Sequence, residues 1–216
     1  QQIAAVRYAL AAIKNVGQSA MESLVINRDN YGPFDDLQDL VTRLDSKIIS
    51  KRQFENIVKA GALEQLTAKR RQLFEGTESI IRQGNVTQQE RESDQIRLFG
   101  SEDLLSDEIH LPDVPDWEPM ERLKEEFDAI GFYLSAHPLD NYTNVLKRLK
   151  IKKFGEIEEA KKQGLVGLAG VIINKKDRVS QKGKRFSFLQ LSDQSGIYEI
   201  IVFSELLAAK NHILIS

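Results

Sequence analysis

Three groups of residues have types and spacings that could bind a partner. Residues 174–185 hold Lys175, Lys176, Arg178, Lys182, Lys184 and Arg185 against Asp177 alone. Cations at that density attract a polyanion. Phe186 and Phe188 follow on one strand face, with Leu189 and Leu191 on the other. Aromatic rings beside cations can stack on planar bases, at about 1–3 kcal/mol each. Turned inward they would be core instead, and the pattern leaves both open. The second group is a pair of glycine hairpins: Lys14-Asn15-Val16-Gly17, with Ser19 following, and Lys59-Ala60-Gly61. Glycine lets a backbone approach a ligand closely. N–H groups at the start of the next helix can then hold an anion, helped by the helix dipole. The plain alternative is a helical turn with glycine just past the C-cap. The third group is Gln95 with Leu98 and Phe99. Two adjacent hydrophobes could enter an apolar pocket of a partner protein while the Gln95 amide hydrogen-bonds at the rim.

No set of residues reads as catalytic. The chain has no cysteine, hence no disulfide, thiolate zinc site or cysteine nucleophile. His110, His137 and His212 lack metal-ligand spacing, no phosphate loop, Ser/His/Asp arrangement or paired carboxylates with a shared context occur, and the Asp/Glu pairs of the linker read as solvated charge. No catalytic residue, metal or cofactor is therefore expected within these 216 residues. No apolar run approaches the ~20 residues of a membrane span, and no charged-then-apolar signal opens the sequence. The expectation is a cytoplasmic protein without a membrane partner. The net charge of −2 hides a segregation. Residues 88–128 carry fourteen Asp/Glu against four Lys/Arg, leaving 26 basic and 18 acidic residues elsewhere. So acidic a stretch is expected to stay unfolded with its carboxylates solvated, the basic flanks binding the anion.

The elements that must position these groups follow from periodicity and caps. Ile3, Val6, Leu10 and Ile13 recur at helical spacing until Gly17. Ser19 with Glu22 reads as a capping box, Asp35 as the next cap, and Ser50 with Gln53 as a second box opening a helix that stops at Gly61. A last helix covers about 67–83, closed by Gly84. Helix, glycine hairpin, helix thus occurs twice. Pro119 opens a further helix, and shorter ones precede Gly164. From Leu165 the period becomes two, giving strands over 165–173, 184–191 and 197–203. Three meandering strands with a long basic first loop, 174–183, resemble the start of a truncated OB-fold. The expected class is α+β. Residues 1–83 would form a tandem helix-hairpin-helix domain, and 84–116 an acidic flexible linker carrying the docking peptide. Residues 117–164 would form a helical connector and 165–216 the first part of the barrel.

The order of parts is more specific than any one part. Residues 9–17 (ALAAIKNVG), Gly32-Pro33-Phe34, Lys51-Arg52 with Ala60-Gly61-Ala62-Leu63, residues 131–139 (GFYLSAHPL) and residues 183–193 (GKRFSFLQLSD) carry a resemblance over nearly the whole chain. It resembles the C-terminal part of the alpha subunit of bacterial DNA polymerase III. The resemblance implies a parent DNA-directed DNA polymerase using Mg2+, with its catalytic residues upstream of this stretch. This stretch would bind duplex DNA through the hairpins and single-stranded DNA through the barrel. Gln95, Leu98 and Phe99 would dock on the sliding clamp, and other replicase subunits would bind elsewhere. An error-prone alpha-like polymerase shares these parts. A non-polymerase OB-fold module, such as the anticodon-binding domain of a class II aminoacyl-tRNA synthetase, resembles residues 184–193 as well. The hairpins and the docking peptide argue against that module, and a scaffold without a nucleic-acid role is the remaining alternative.

Overall fold

The computed structural model describes residues 8–44, 49–66, 69–92, 109–160 and 164–210. The chain divides into two compact units, Gln1–Leu134 and Ser135–Ser216. That division falls inside the stretch expected as one helical connector.

The first unit is helical. A 3-10 turn at Leu10–Ala12 leads into α1 (Gln18–Tyr31), α2 (Leu37–Arg43), α3 (Lys51–Lys59), α4 (Arg70–Glu92) and α5 (Pro119–Ile130). Helix α3 starts at a complete capping box: the Gln53 N–H donates to Ser50 Oγ at 3.4 Å and the Ser50 N–H to Gln53 Oε1 at 2.8 Å. It buries Phe54, Ile57 and Val58 in a core shared with Ile13, Leu40, Leu73 and Ile80. Two expected caps are corrected. Helix α1 is capped by Gly17 without a side-chain hydrogen bond, so Ser19 and Glu22 lie inside the helix. Helix α2 is capped by Asp36, which accepts the Asp39 N–H at 2.7 Å, while Asp35 donates its own N–H to Asp39. Helix α4 also runs on through Gly84 to Glu92, into the expected linker. One interior glycine costs a helix only about 1 kcal/mol, and Gly84 is buried.

The acidic stretch is not simply solvated charge. Ile109 and Leu111 pack against the helical core. Asp116 accepts the Arg71 N–H at 2.9 Å, and Trp117 packs on Phe74 with ring centroids 5.5 Å apart. On α5, Glu126 is 1% exposed and pairs with Arg70 at 3.4 Å. Glu125 lies 2.6 Å from the Lys59 ammonium, without hydrogen-bond alignment. The cations that balance these acids come from more than fifty residues upstream, which a local charge count does not see. Residues 93–108, with Gln95, Leu98 and Phe99, lie outside the described residues.

The second unit is α+β. A 3-10 turn at Pro138–Tyr142 leads to α6 (Thr143–Arg148), α7 (Phe154–Ala160), β1 (Val171–Val179), β2 (Arg185–Asp193), β3 (Gly196–Phe203) and α8 (Ser204–Lys210). The sheet is antiparallel in the order β1-β2-β3, as in an open part of an OB-fold. Leu189, Leu191, Tyr198 and Val202 form its core, and Phe154 stacks on Tyr198 at 4.8 Å. The long basic loop expected over 174–183 is corrected. Strand β1 continues to Val179, leaving a turn of residues 180–184. That turn is closed by the Ser180 N–H to the Lys184 carbonyl at 2.8 Å, with Gly183 at φ +75°.

Candidate nucleic-acid interface

Strand pairing decides which side chains share a face of the sheet. Ser187, Leu189 and Leu191 of β2 are buried, opposite Val202, Ile200 and Tyr198 of β3. Phe186 and Phe188 therefore lie on the face turned away from the core, half-buried, their rings edge to face at 5.5 Å. Register carries that face across three strands. Arg178, Phe186 and Phe203 form one row; Lys176, Phe188 and Ile201 form the next. Lys176, Arg178, Ile201 and Phe203 are all exposed. The result is aromatic rings interleaved with cations on an open surface. Phe203 is the member that sequence reading missed. Strand β3 is apolar on both faces, so its alternation does not say which residues point outward.

The remaining basic residues divide. Lys184 and Arg185 are exposed where the turn enters β2, and Lys182 lies within the turn. Lys175 is on the core side of β1, opposite Leu189, and half-buried. With Asp177, Arg178, Arg185, Phe186, Ser204 and Leu207 it lines a concavity of ≈ 1020 Å³. The Ser187 hydroxyl donates to Asp177, which keeps that carboxylate occupied.

The two hairpins of the first unit are not equivalent. In the first, Asn15 takes φ +62° and Gly17 caps α1. Val16 is buried in the core, while Lys14 and Ser19 are exposed and Gly17 is half-buried. The Lys14 N–H donates to the Ala129 carbonyl at 2.9 Å. Among the described residues nothing accepts the first-turn N–H groups of Gln18, Ser19 and Ala20. In the second hairpin Gly61 takes φ +76°, and the group closest to it is the Arg70 guanidinium: a Cβ there would lie 2.1 Å from Nη2. Arg70 is held by Glu64 at 2.7 Å, the Lys59 carbonyl at 3.1 Å and Glu126 at 3.4 Å. The start of α4 already has its anion, the Asp116 carboxylate. Lys59 is drawn to Glu125 and lies 4.9 Å over the Phe74 ring.

Residues 131–139 run from the end of the first unit into the second. The chain leaves α5 through Gly131 at φ +97°, and the Leu134 N–H donates to buried Glu126 at 2.7 Å. In the second unit His137 accepts the Leu139 N–H on Nδ1 at 3.1 Å and meets Ser192 Oγ with Nε2 at 3.2 Å. Its Nε2 is then the protonated nitrogen. Burial pushes the His137 pKa down, against the pull of Asp140 and Asp193. Burial pushes Asp193 up, but N–H donors from Phe154, Ser195 and Gly196 outweigh it and hold its carboxyl below the usual range. These groups fix the fold of the unit. Among the described residues no cluster of His, Asp and Glu could hold a metal ion.

A family model described as a helix-hairpin-helix motif matches residues 1–73. DNA polymerase III subunit alpha of Caulobacter vibrioides is 35% identical over 198 residues, covering 91% of this chain and 17% of the relative. The subunit of Vibrio cholerae is 29% identical over 205 residues, covering 94% and 18%. That of Xylella fastidiosa is 34% identical over 227 residues, covering 97% and 19%. The chain spans less than a fifth of the length of these curated relatives. Over the stretch it shares with them, the chain is similar to DNA polymerase III subunit alpha.

Proposed function

We propose that this chain is a non-catalytic DNA-holding and clamp-tethering region of a polymerase that performs template-directed DNA synthesis, with Mg2+ and the catalytic residues held outside it. The observation that carries the reading is the sheet face of Lys176, Arg178, Phe186, Phe188 and Phe203. It offers what a single strand needs: cations for phosphates and rings for bases. Duplex DNA is assigned to the first hairpin, where exposed Lys14 and the N–H groups at the start of α1 face no acceptor of the described chain. Contacts of this kind are weak, salt-sensitive and indifferent to sequence. Gln95, Leu98 and Phe99 add attachment to a sliding clamp, so that weak contacts act at a high effective concentration of DNA. The protein is expected to work in the cytoplasm.

Two measurements test this. Labelled dT20 should bind the chain, and Lys176→Glu with Arg178→Glu should weaken that binding and flatten its salt dependence. An unchanged affinity and slope would leave the face merely solvated. Leu98→Ala with Phe99→Ala should abolish binding to a bacterial sliding clamp while DNA affinity stays the same; equal clamp affinity in the double variant defeats the tether. An error-prone alpha-like polymerase would give the same results, and the catalytic region of the full-length protein separates the two.

A further inference from the structure

A second basic surface lies in the same unit, on residues that precede the strands and reach the end of β2 at Asp193. Lys147, Arg148, Lys150, Lys152 and Lys153 place five cations in seven residues, all exposed. None of the five forms an ion pair with a described residue. Tyr142, Val145 and Leu149 precede and interleave with them at i, i+3, i+7 spacing, which brings them to one side of the helical path. All three are exposed, Tyr142 at 55% and Leu149 at 60%. Lys147, Lys152 and Lys153 line a concavity of ≈ 390 Å³ with Thr143 and Gln194. The carboxylates in it are Asp140, Asp193 and Glu156. Asp140 is occupied by the His137 N–H and the Gln194 amide, and Asp193 by backbone donors. Glu156 is exposed.

The backbone conformation is a separate observation. Helix α6 ends with the Ile151 N–H on the Leu146 carbonyl and the Lys150 N–H on the Lys147 carbonyl. That ending requires a left-handed residue, usually glycine. Lys150 occupies the position at φ +55°. A strained side chain kept where glycine fits better is a pointer to use. Two residues on, the Lys152 N–H donates to the Gly167 carbonyl at 3.1 Å, so the basic run is fixed in place.

We infer that residues 142–153 form a second contact for single-stranded DNA, in which Lys147, Arg148, Lys150, Lys152 and Lys153 take successive phosphates and Tyr142 stacks on a base. This rests on the DNA-binding reading above and extends the bound strand beyond the sheet face. An acidic peptide is the rival occupant. The density of exposed cations beside an exposed ring, with only Lys153 drawn to a carboxylate, that of Asp140, favours the nucleic acid.

The test uses the 216-residue chain with labelled dT20, a duplex of the same length and poly-glutamate, each over a series of salt concentrations. Lys152→Gln with Lys153→Gln should lower the log–log salt slope on dT20 by about 1.4, since each lost single-strand phosphate contact removes about 0.7. That is about fivefold in affinity per contact at 0.1 M salt. Lys150→Gly should weaken dT20 binding without lowering Tm, because glycine suits the backbone there. Tyr142→Ala should weaken binding without changing the slope, and Glu156→Gln should strengthen it. If the Lys176/Arg178 variants lose dT20 binding and the 147–153 variants do not, this inference falls and the sheet reading stands. If the unaltered chain does not bind dT20, both fall. Loss confined to the duplex or to poly-glutamate overturns the single-strand assignment.

Discussion

Gly61→Ala probes why the second hairpin is closed. The substitution places a methyl carbon 2.1 Å from Nη2, 2.5 Å from Cζ and 2.9 Å from Nε of Arg70, so the whole guanidinium must leave. Its freedom to do so is small, because Arg70 is 4% exposed and bound to Glu64, the Lys59 carbonyl and Glu126. Left-handed backbone at φ +76° costs alanine about 1–2 kcal/mol. Taking the guanidinium from buried Glu126, which keeps the Leu134 N–H, costs up to about 3–5 kcal/mol more, the usual penalty for breaking a buried pair from one side. The expected total is up to about 4–7 kcal/mol. In an Arg70→Met/Glu126→Leu background the second contribution disappears. That background leaves the Leu134 N–H to solvent, since Leu134 is exposed, and Gly61→Ala should cost it only the backbone strain. The assay is urea unfolding followed by Trp117, the sole tryptophan, which packs on Phe74 in this unit. Equal costs in the two backgrounds, within about 0.5 kcal/mol, would refute the claim that Gly61 is there for Arg70.

The other predictions concern separate parts of the chain. His137 titrates below its ordinary 6.5 when folded, so the native state takes up its proton later than the unfolded chain as pH falls. Stability of the second unit should be complete above about pH 6.5 and decline below it until the folded value is passed. Circular-dichroism unfolding curves at several pH values should show this decline, and His137→Gln should remove it. Asp116→Ala withdraws the acceptor from the start of α4 and should cost about 1 kcal/mol, read by the same tryptophan. Leu189→Ala empties a fully buried site of the small core and should cost about 2–5 kcal/mol, while Phe203→Ala on the outer face should cost little stability and lose dT20 affinity.

Legibility followed the range of the forces involved. The capping box at Ser50 and the stripe of Phe54, Ile57 and Val58 are local, and the structure has both. The second hairpin is legible for the same reason, since glycine at φ +76° is a local demand, whereas in the first the left-handed residue is Asn15 and Gly17 is extended. Asp35 and Asp36 are both good caps, and the choice of Asp36 follows from where Asp39 sits, which spacing alone does not tell. The sequence places the first strand at 165–173 because basic residues suggest a loop after it, whereas β1 spans Val171–Val179, an exposed strand face accepting Lys176 and Arg178 readily. The acidic stretch was misjudged most, because the partners of Glu125 and Glu126 are Lys59 and Arg70, far away in sequence. For the candidate site, the basic and aromatic residue types were readable, but the rows joining them needed the register of three strands.

The contrast between the hairpins gives the acidic stretch a role in the fold. A helix start with free N–H groups attracts any anion, and a protein with two such starts has two competing places for a phosphate. At α4 the chain supplies its own anion: Asp116 takes the Arg71 N–H, while Glu126 and Glu64 neutralise the guanidinium lying over Gly61. At α1 no described carboxylate does this, and Lys14 stays exposed. Under the proposed function, internal carboxylates therefore restrict duplex contact to the first hairpin by occupying the second. The same sequence motif then serves as a binding element in one place and as a structural joint in the other. The difference lies in residues forty-five and fifty-six positions away from α4's first turn, so inspection of the hairpin sequences alone would assign both the same task.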